Sequence, residues 1–288
     1  MRDLNYQLKR LGERNKDNSP TYQAQRARML SLIANQLHDL GYRKLQASNL
    51  RGKHVQALVA HWQQQGLSAG TMKNRLAAVR WWAEKIGKPH IMSRDNAYYG
   101  IPDRQYVTNI SKAQTLQQTD VSTVRDPYIR MSMELQQAFG LRRQEALKFQ
   151  PSFADRGDHL RLKGSWTKGG KERLVPIRTE DQQAVLQRAH QLAGRGSLIP
   201  PKRTYIQHLK VYEYHTTRAG LHKLHGLRHA YAQQRYWELT GWLAPATGGP
   251  TNRQLTREQK TVDQEARLTI SRELGHEREQ ITAVYLGR

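Results

Sequence analysis

Only one stretch of this 288-residue chain, residues 159–178, reads as β-structure, and that scarcity sets the fold class. His159 to Lys163 and Arg173 to Ile177 are strand-like runs on either side of a polar, Gly-bearing connection, the pattern of a β-hairpin. Elsewhere apolar residues recur at helical spacing. Tyr22, Ala24, Met29, Leu30, Ile33, Leu37 and Leu40 predict a helix that stops at Gly41. Val55, Leu58, Val59 and Trp62 mark a second over 53–65, and Ser68 caps a third that Gly87 and Pro89 close. Further helices are expected over 114–119, 126–149, 180–193, 203–212, 221–240, 263–274 and 278–286. The expected fold is mainly α. An all-α domain (15–92) precedes a linker (93–107), which leads to a mainly helical domain with a small antiparallel sheet (108–288).

Charge narrows the partner. The chain has 47 Lys+Arg against 24 Asp+Glu, a formal net charge of +23. Residues 1–110 hold 18 basic and 7 acidic side chains, and residues 111–288 hold the remaining 29 and 17, so both halves are basic. A polyanion is the expected partner, two domains gripping one duplex from opposite sides. A basic ribosome-associated protein fits charge alone equally in kind. No run approaches 18 apolar residues and no apolar segment opens the chain, so neither a membrane span nor a signal peptide is read. With zero Cys, disulfides, thiol catalysis and Cys-based zinc sites are excluded.

Several motifs tempt and fail. GSWTKGGK separates Gly164 from Gly170 by five residues and follows Lys171 with Glu172, which breaks the phosphate-loop spacing. His215, His222, His225 and His229 cluster without an interleaved carboxylate, a poor zinc set. Trp81 and Trp82 could stack on bases, but a Trp pair at helical spacing reads first as core. More telling is an ordered series of cations ending in a tyrosine. GLRRQEAL puts Arg142 and Glu145 one helical turn apart, so the carboxylate can orient the guanidinium. TKGGKERLVPI places Lys168 at the hairpin tip. HGLRHAYA spaces His225 and Arg228 by a turn, and ELGHEREQITAVYLGR brings His276 and, nine residues on, Tyr285.

In this order the boxes resemble those of the tyrosine recombinase, or phage-type integrase, family, and LSAGTMKNRLAAVRWWAEKIGKP (67–89) is similar to the end of its helical core-binding domain. The resemblance implies Arg142, Lys168, His225, Arg228, His276 and Tyr285 as catalytic residues, with Glu145 in support. It implies site-specific cleavage and rejoining of double-stranded DNA through a 3′-phosphotyrosine, with no metal, ATP or other cofactor. The chemistry suits these residue types. Attack on a phosphodiester builds charge on the nonbridging oxygens, which two forked guanidiniums can clamp. His225 and His276 would hydrogen-bond and handle protons near neutral pH, and Lys168 on a mobile hairpin would protonate the leaving oxygen. The implied setting is the bacterial cytoplasm, as a homotetramer at specific sites with accessory DNA-bending factors, integrating or excising a phage or mobile element. Dimer resolution, inversion, a type IB topoisomerase and a catalytically inactive DNA-binding regulator are the alternatives.

The neighbouring residues carry plainer expectations. Arg143 is expected at a phosphate or on the surface, Lys171 and Arg173 on backbone phosphates, His229 in support, and Tyr231, Tyr236 and Trp237 in packing. Two departures from the family stand out. Arg228 and His276 are 48 positions apart, about twice the family's usual spacing, which a Gly/Pro-rich inserted loop at 241–262 explains. Only Leu286 to Arg288 follow Tyr285, so the insertion is expected either to couple protomers in place of a longer tail or to be no more than a solvated loop.

Overall fold

The computed structural model describes residues 2–276 and 278–288. They form two compact units, residues 1–105 and 106–288. In the first, helices α1 (Asp3–Arg14), α2 (Pro20–Asp39), α3 (Gly52–Gln64) and α4 (Ala69–Lys85) enclose a single core. Ser68 caps α4 as read, accepting from the Thr71 amide; Ser19, which the sequence reading did not single out, accepts from that of Tyr22 at the start of α2. Trp62 and Trp82 are fully buried, with their indole N–H groups donated to Gln36 and to the Ala47 carbonyl, so the tryptophans are core.

Two boundaries differ from expectation. The unit starts before residue 15, because Leu4 and Leu8 on α1 are buried with α2 in the same core. The expected linker is not free chain either: Tyr99 and Ile101 complete that core, and the Tyr99 hydroxyl accepts from the Ser93 amide.

The second unit begins with irregular chain and continues through α5 (Gln118–Thr123), α6 (Pro127–Phe139), α7 (Arg143–Leu147) and α8 (Pro151–Ala154). Strands β1 (His159–Leu162) and β2 (Arg173–Pro176) then pair antiparallel, with Leu160 opposite Val175. After them come α9 (Glu180–Ala193), α10 (Tyr205–Arg218), α11 (Gly226–Thr240), α12 (Arg257–Glu273) and α13 (Glu279–Leu286). α11 is central, packed on α6, α12 and α13.

Here too the differences have causes. The helix expected over 126–149 is broken at Gly140, whose φ of 59° ends α6 and starts a new turn at Arg143. The inserted loop is shorter and more ordered than 241–262. Ala244, Pro245, Ala246 and Leu255 are buried, and α12 begins at Arg257 behind a Thr256 cap rather than at 263. Trp237, expected in packing, is about half exposed, whereas Tyr231 and Tyr236 are buried.

If α1 is integral to the first unit, Leu8→Ala should cost about 2–5 kcal/mol, the range for a buried Leu truncated to Ala. Urea denaturation of the variant checks this; an unchanged midpoint would mean α1 is a dispensable arm.

Candidate active site

The site is assembled at the ends of helices. Arg142 occupies the position before α7, where first-turn amides are free. Glu145 turns back to it: the Arg142 amide donates to Glu145 Oε2 at 2.7 Å and its guanidinium to Oε1 at 2.8 Å. Glu145 is fully buried, while Arg142 keeps 20% of its side chain exposed. The orienting role expected of Glu145 is thus present, but it is shared. Arg173 on β2 donates to Glu145 Oε2 and to the Glu273 carbonyl at the end of α12. Arg173 is therefore buried, not on a phosphate-facing surface as expected. Burial pulls its pKa down to about 9, with Glu145 opposing the fall. One signal in the sequence pointed there: Arg173 alternates with Val175 and Ile177 at the strand period, which puts it on the inward face.

Arg228 is almost wholly buried on the first turn of α11. It donates 2.6 Å to the Gly140 carbonyl, freed by the break after α6, and also to the Leu274 carbonyl at the end of α12. Two helix C-termini thus supply partial negative charge to one guanidinium. Its Nε lies 3.3 Å from the Tyr285 hydroxyl. Among the described residues no carboxylate is within ion-pair distance of Arg228.

Tyr285 on α13 is 5% exposed, and three imidazoles surround its ring. Centroid distances are 4.5 Å to His229, 5.6 Å to His276 and 5.9 Å to His225. The hydroxyl lies 3.4 Å from His225 Nε2, and His276 Nε2 lies 3.4 Å from Arg228 Nη2. The buried Tyr231 and Tyr236 nearby differ: Tyr231 donates to Glu273 and Tyr236 to Asp263. Burial followed by the carboxylate raises both pKa values, Tyr236 to about 12, which disfavours either as a nucleophile.

Burial and the neighbouring arginines hold the imidazoles neutral. Desolvation first, then Arg228 and Arg142, bring His276 down to about 3. His229 is brought to about 4 and His225 falls below its usual value for the same leading reason. All three are thus shifted toward the neutral form in the free protein, so none is favoured as a charged donor. Each neutral ring offers one donor and one acceptor instead.

The structure brings together Arg142, Glu145, His225, Arg228, His276 and Tyr285. Lys168 is not among them. It sits exposed in the turn between β1 and β2, without a hydrogen bond or ion pair among the described residues. That connection is anchored: Trp166 is buried near Phe149 and Phe153, and the Thr167 hydroxyl donates to the Lys171 carbonyl. Arg143 pairs with Glu213 on the surface. Arg173 and Glu273, which sequence reasoning did not place here, complete the support beneath the cluster.

A phenolic hydroxyl touched by arginine and histidine, backed by a guanidinium with no acidic partner among the described residues, is an arrangement that can receive an anion. The family comparison agrees. The chain matches the phage integrase N-terminal domain over residues 1–92 and the integrase domain over residues 92–234, and it belongs to the phage integrase family of tyrosine recombinases. It is similar in fold to lambda integrase solved as a dimer on a core site, with a TM-score of 0.66, 15% identity, and coverage of 99% of this chain and 78% of that one. A Tn1549 transposon integrase in complex with circular intermediate DNA gives 0.57, 11%, 100% and 96%. The XerH site-specific recombinase bound to its difH substrate gives 0.55, 16%, 98% and 80%. No curated protein matches the sequence.

The histidines make stability pH-dependent with a definite sign. Their folded pKa values lie below the unfolded 6.5, so the unfolded chain binds more protons in between. Stability is full above about pH 6.5 and falls as pH drops toward the folded values. Replacing His276 with Gln should flatten that decline by up to about one proton between about pH 6.5 and pH 5. Denaturation midpoints across that range test it, and an unchanged slope would place His276 in solvent.

Proposed function

We propose that this protein cuts and rejoins DNA at specific sites through a 3′-phosphotyrosine, with Tyr285 as nucleophile, and that it integrates or excises a phage or mobile element. The observation that carries the reading is Arg228, buried with no carboxylate in contact among the described residues and directed at the Tyr285 hydroxyl. A scissile phosphate beside Tyr285 would supply the anion that Arg228 lacks. Arg142, partly exposed and held by Glu145, reaches the same phosphate from the solvent side.

The step balances without an external energy source. Tyr285 Oη bonds to phosphorus as the bond to the 5′-oxygen breaks. The phenolic proton passes to a neutral imidazole, for which His225 Nε2 is the nearest acceptor. His276 donates to a nonbridging oxygen, and Lys168, delivered by its exposed turn, protonates the departing oxygen. The phosphotyrosyl ester retains the energy of the broken bond, so a 5′-hydroxyl can reverse the step.

The similar structures support DNA as partner: lambda integrase on a core site and as a tetramer on a Holliday junction, and XerH on its difH substrate. A homotetramer at paired sites, aided by DNA-bending factors, is the assembly we infer. No helix among the described residues is long and apolar enough to cross a membrane. The bacterial cytoplasm, in a phage or element host, fits this activity.

A nicked duplex carrying the protein's site should trap a covalent adduct that maps to Tyr285. Tyr285→Phe should abolish the adduct while binding persists. Arg142→Ala should cost on the order of a thousand-fold in cleavage, the loss of one preorganised charged donor. Cleavage should continue in EDTA. An adduct at Tyr231 or Tyr236, or loss of cleavage on chelation, would overturn the mechanism; a folded protein that binds the site and never forms an adduct would be the inactive regulator.

A further inference from the structure

Residues 106–117 form no helix or strand, yet three of them are fastened to the elements that bear Tyr285 and His225. Ser111 Oγ donates to Gln233 Oε1 at 3.0 Å, and the buried Gln233 donates from Nε2 to the backbone carbonyl of Tyr285 at 2.9 Å. Asn109 brackets the backbone of Arg288, donating from Nδ2 to its carbonyl and accepting its N–H, both at 2.9 Å. The Gln114 amide donates to the Gly226 carbonyl at 3.0 Å, beside His225. The approach is close: a Cβ at Gly226 would lie 2.7 Å from the Lys112 carbonyl.

The physical need is plain. α13 spans only Glu279–Leu286, and carbonyls in the last turn of a helix have no partner within it. Tyr285 stands in that last turn, so its place relative to Arg228 depends on what holds the end of the helix. Gln233 takes the Tyr285 carbonyl and Asn109 takes the residue three further on.

We propose that residues 109–114 are a strap that positions the nucleophile, with Ser111 acting through Gln233, and Asn109 through Arg288, as positioning residues for Tyr285. This rests on Tyr285 being the nucleophile.

The test is single-turnover cleavage of a nicked site by the full-length protein, with a phosphate ester carrying either oxygen or sulfur at the bridging 5′ position. Ser111 and Asn109 are exposed, so Ser111→Ala and Asn109→Ala leave the core intact, and a thermal melt verifies it. Each should slow cleavage on the order of ten- to a hundred-fold at unchanged DNA affinity, as expected when a reacting atom is held loosely. The loss should be equal for oxygen and sulfur, because a better leaving group does not reposition a nucleophile. Lys168→Ala should instead recover on sulfur. Ser111→Thr, which keeps the hydroxyl, should restore the rate. Gln233→Glu, unable to donate to the Tyr285 carbonyl, should not cleave faster than Ser111→Ala. Wild-type rates for Ser111→Ala and Asn109→Ala would overturn the strap, as would their rescue by sulfur. Failure of the wild-type protein to form an adduct would instead overturn the underlying reading of Tyr285.

Discussion

Among the described residues no carboxylate meets the buried guanidinium of Arg228, so other oxygens must, and Arg228 organises much of the second unit in meeting that requirement. Its partners are the carbonyls of Gly140 and Leu274 and the hydroxyl of Tyr285. The first exists as a free acceptor because α6 stops at Gly140, and the second because α12 stops at Glu273. The break after α6, the end of α12 and the seat of α13 are thus tied to one side chain. Carbonyls carry only partial charge, so the positive charge of Arg228 is solvated but not neutralised. That is the condition in which an incoming phosphate is bound most strongly.

Glu145 plays the complementary part. One buried carboxylate serves two arginines, leaving Arg142 oriented toward solvent and Arg173 locked between β2 and α12. Removing a carboxylate from such a group would leave like charges facing one another in a poorly solvated space, at a cost of about 3–5 kcal/mol. Burial first, and then the same local positive potential, shift His225, His229 and His276 toward the neutral form.

Much of this was legible in the sequence where the signal is local. Ser68, Gly41 and Gly87 bound helices close to where capping chemistry puts them. The one-turn spacing of Arg142 and Glu145 became a contact for the reason given by helical geometry. What escaped depends on tertiary context. Gly140 inside an apolar helical pattern reads as tolerated until Tyr231 is seen packed where its Cβ would be. α1 is short and amphipathic, and only its burial on α2 shows that it belongs to the core. Arg173 sits two residues beyond Lys171 in a basic run, and the charge pattern hid the strand alternation that turns it inward. The insertion looked loose from its Gly and Pro content, yet Pro245 and Ala246 pack beside Gly287 at the end of α13.

The central claim is that these arginines are arranged to balance the charge of a phosphate at Tyr285, and neutralising that phosphate tests it most directly. The measurement is cleavage by wild-type protein and Arg142→Ala of a site whose scissile phosphate is replaced by an uncharged methylphosphonate. If Arg142 acts through charge, the variant should recover most of its rate on the neutral ester, narrowing a gap on the order of a thousand-fold. A deficit of the same size on both substrates would contradict the account and assign Arg142 to structure alone.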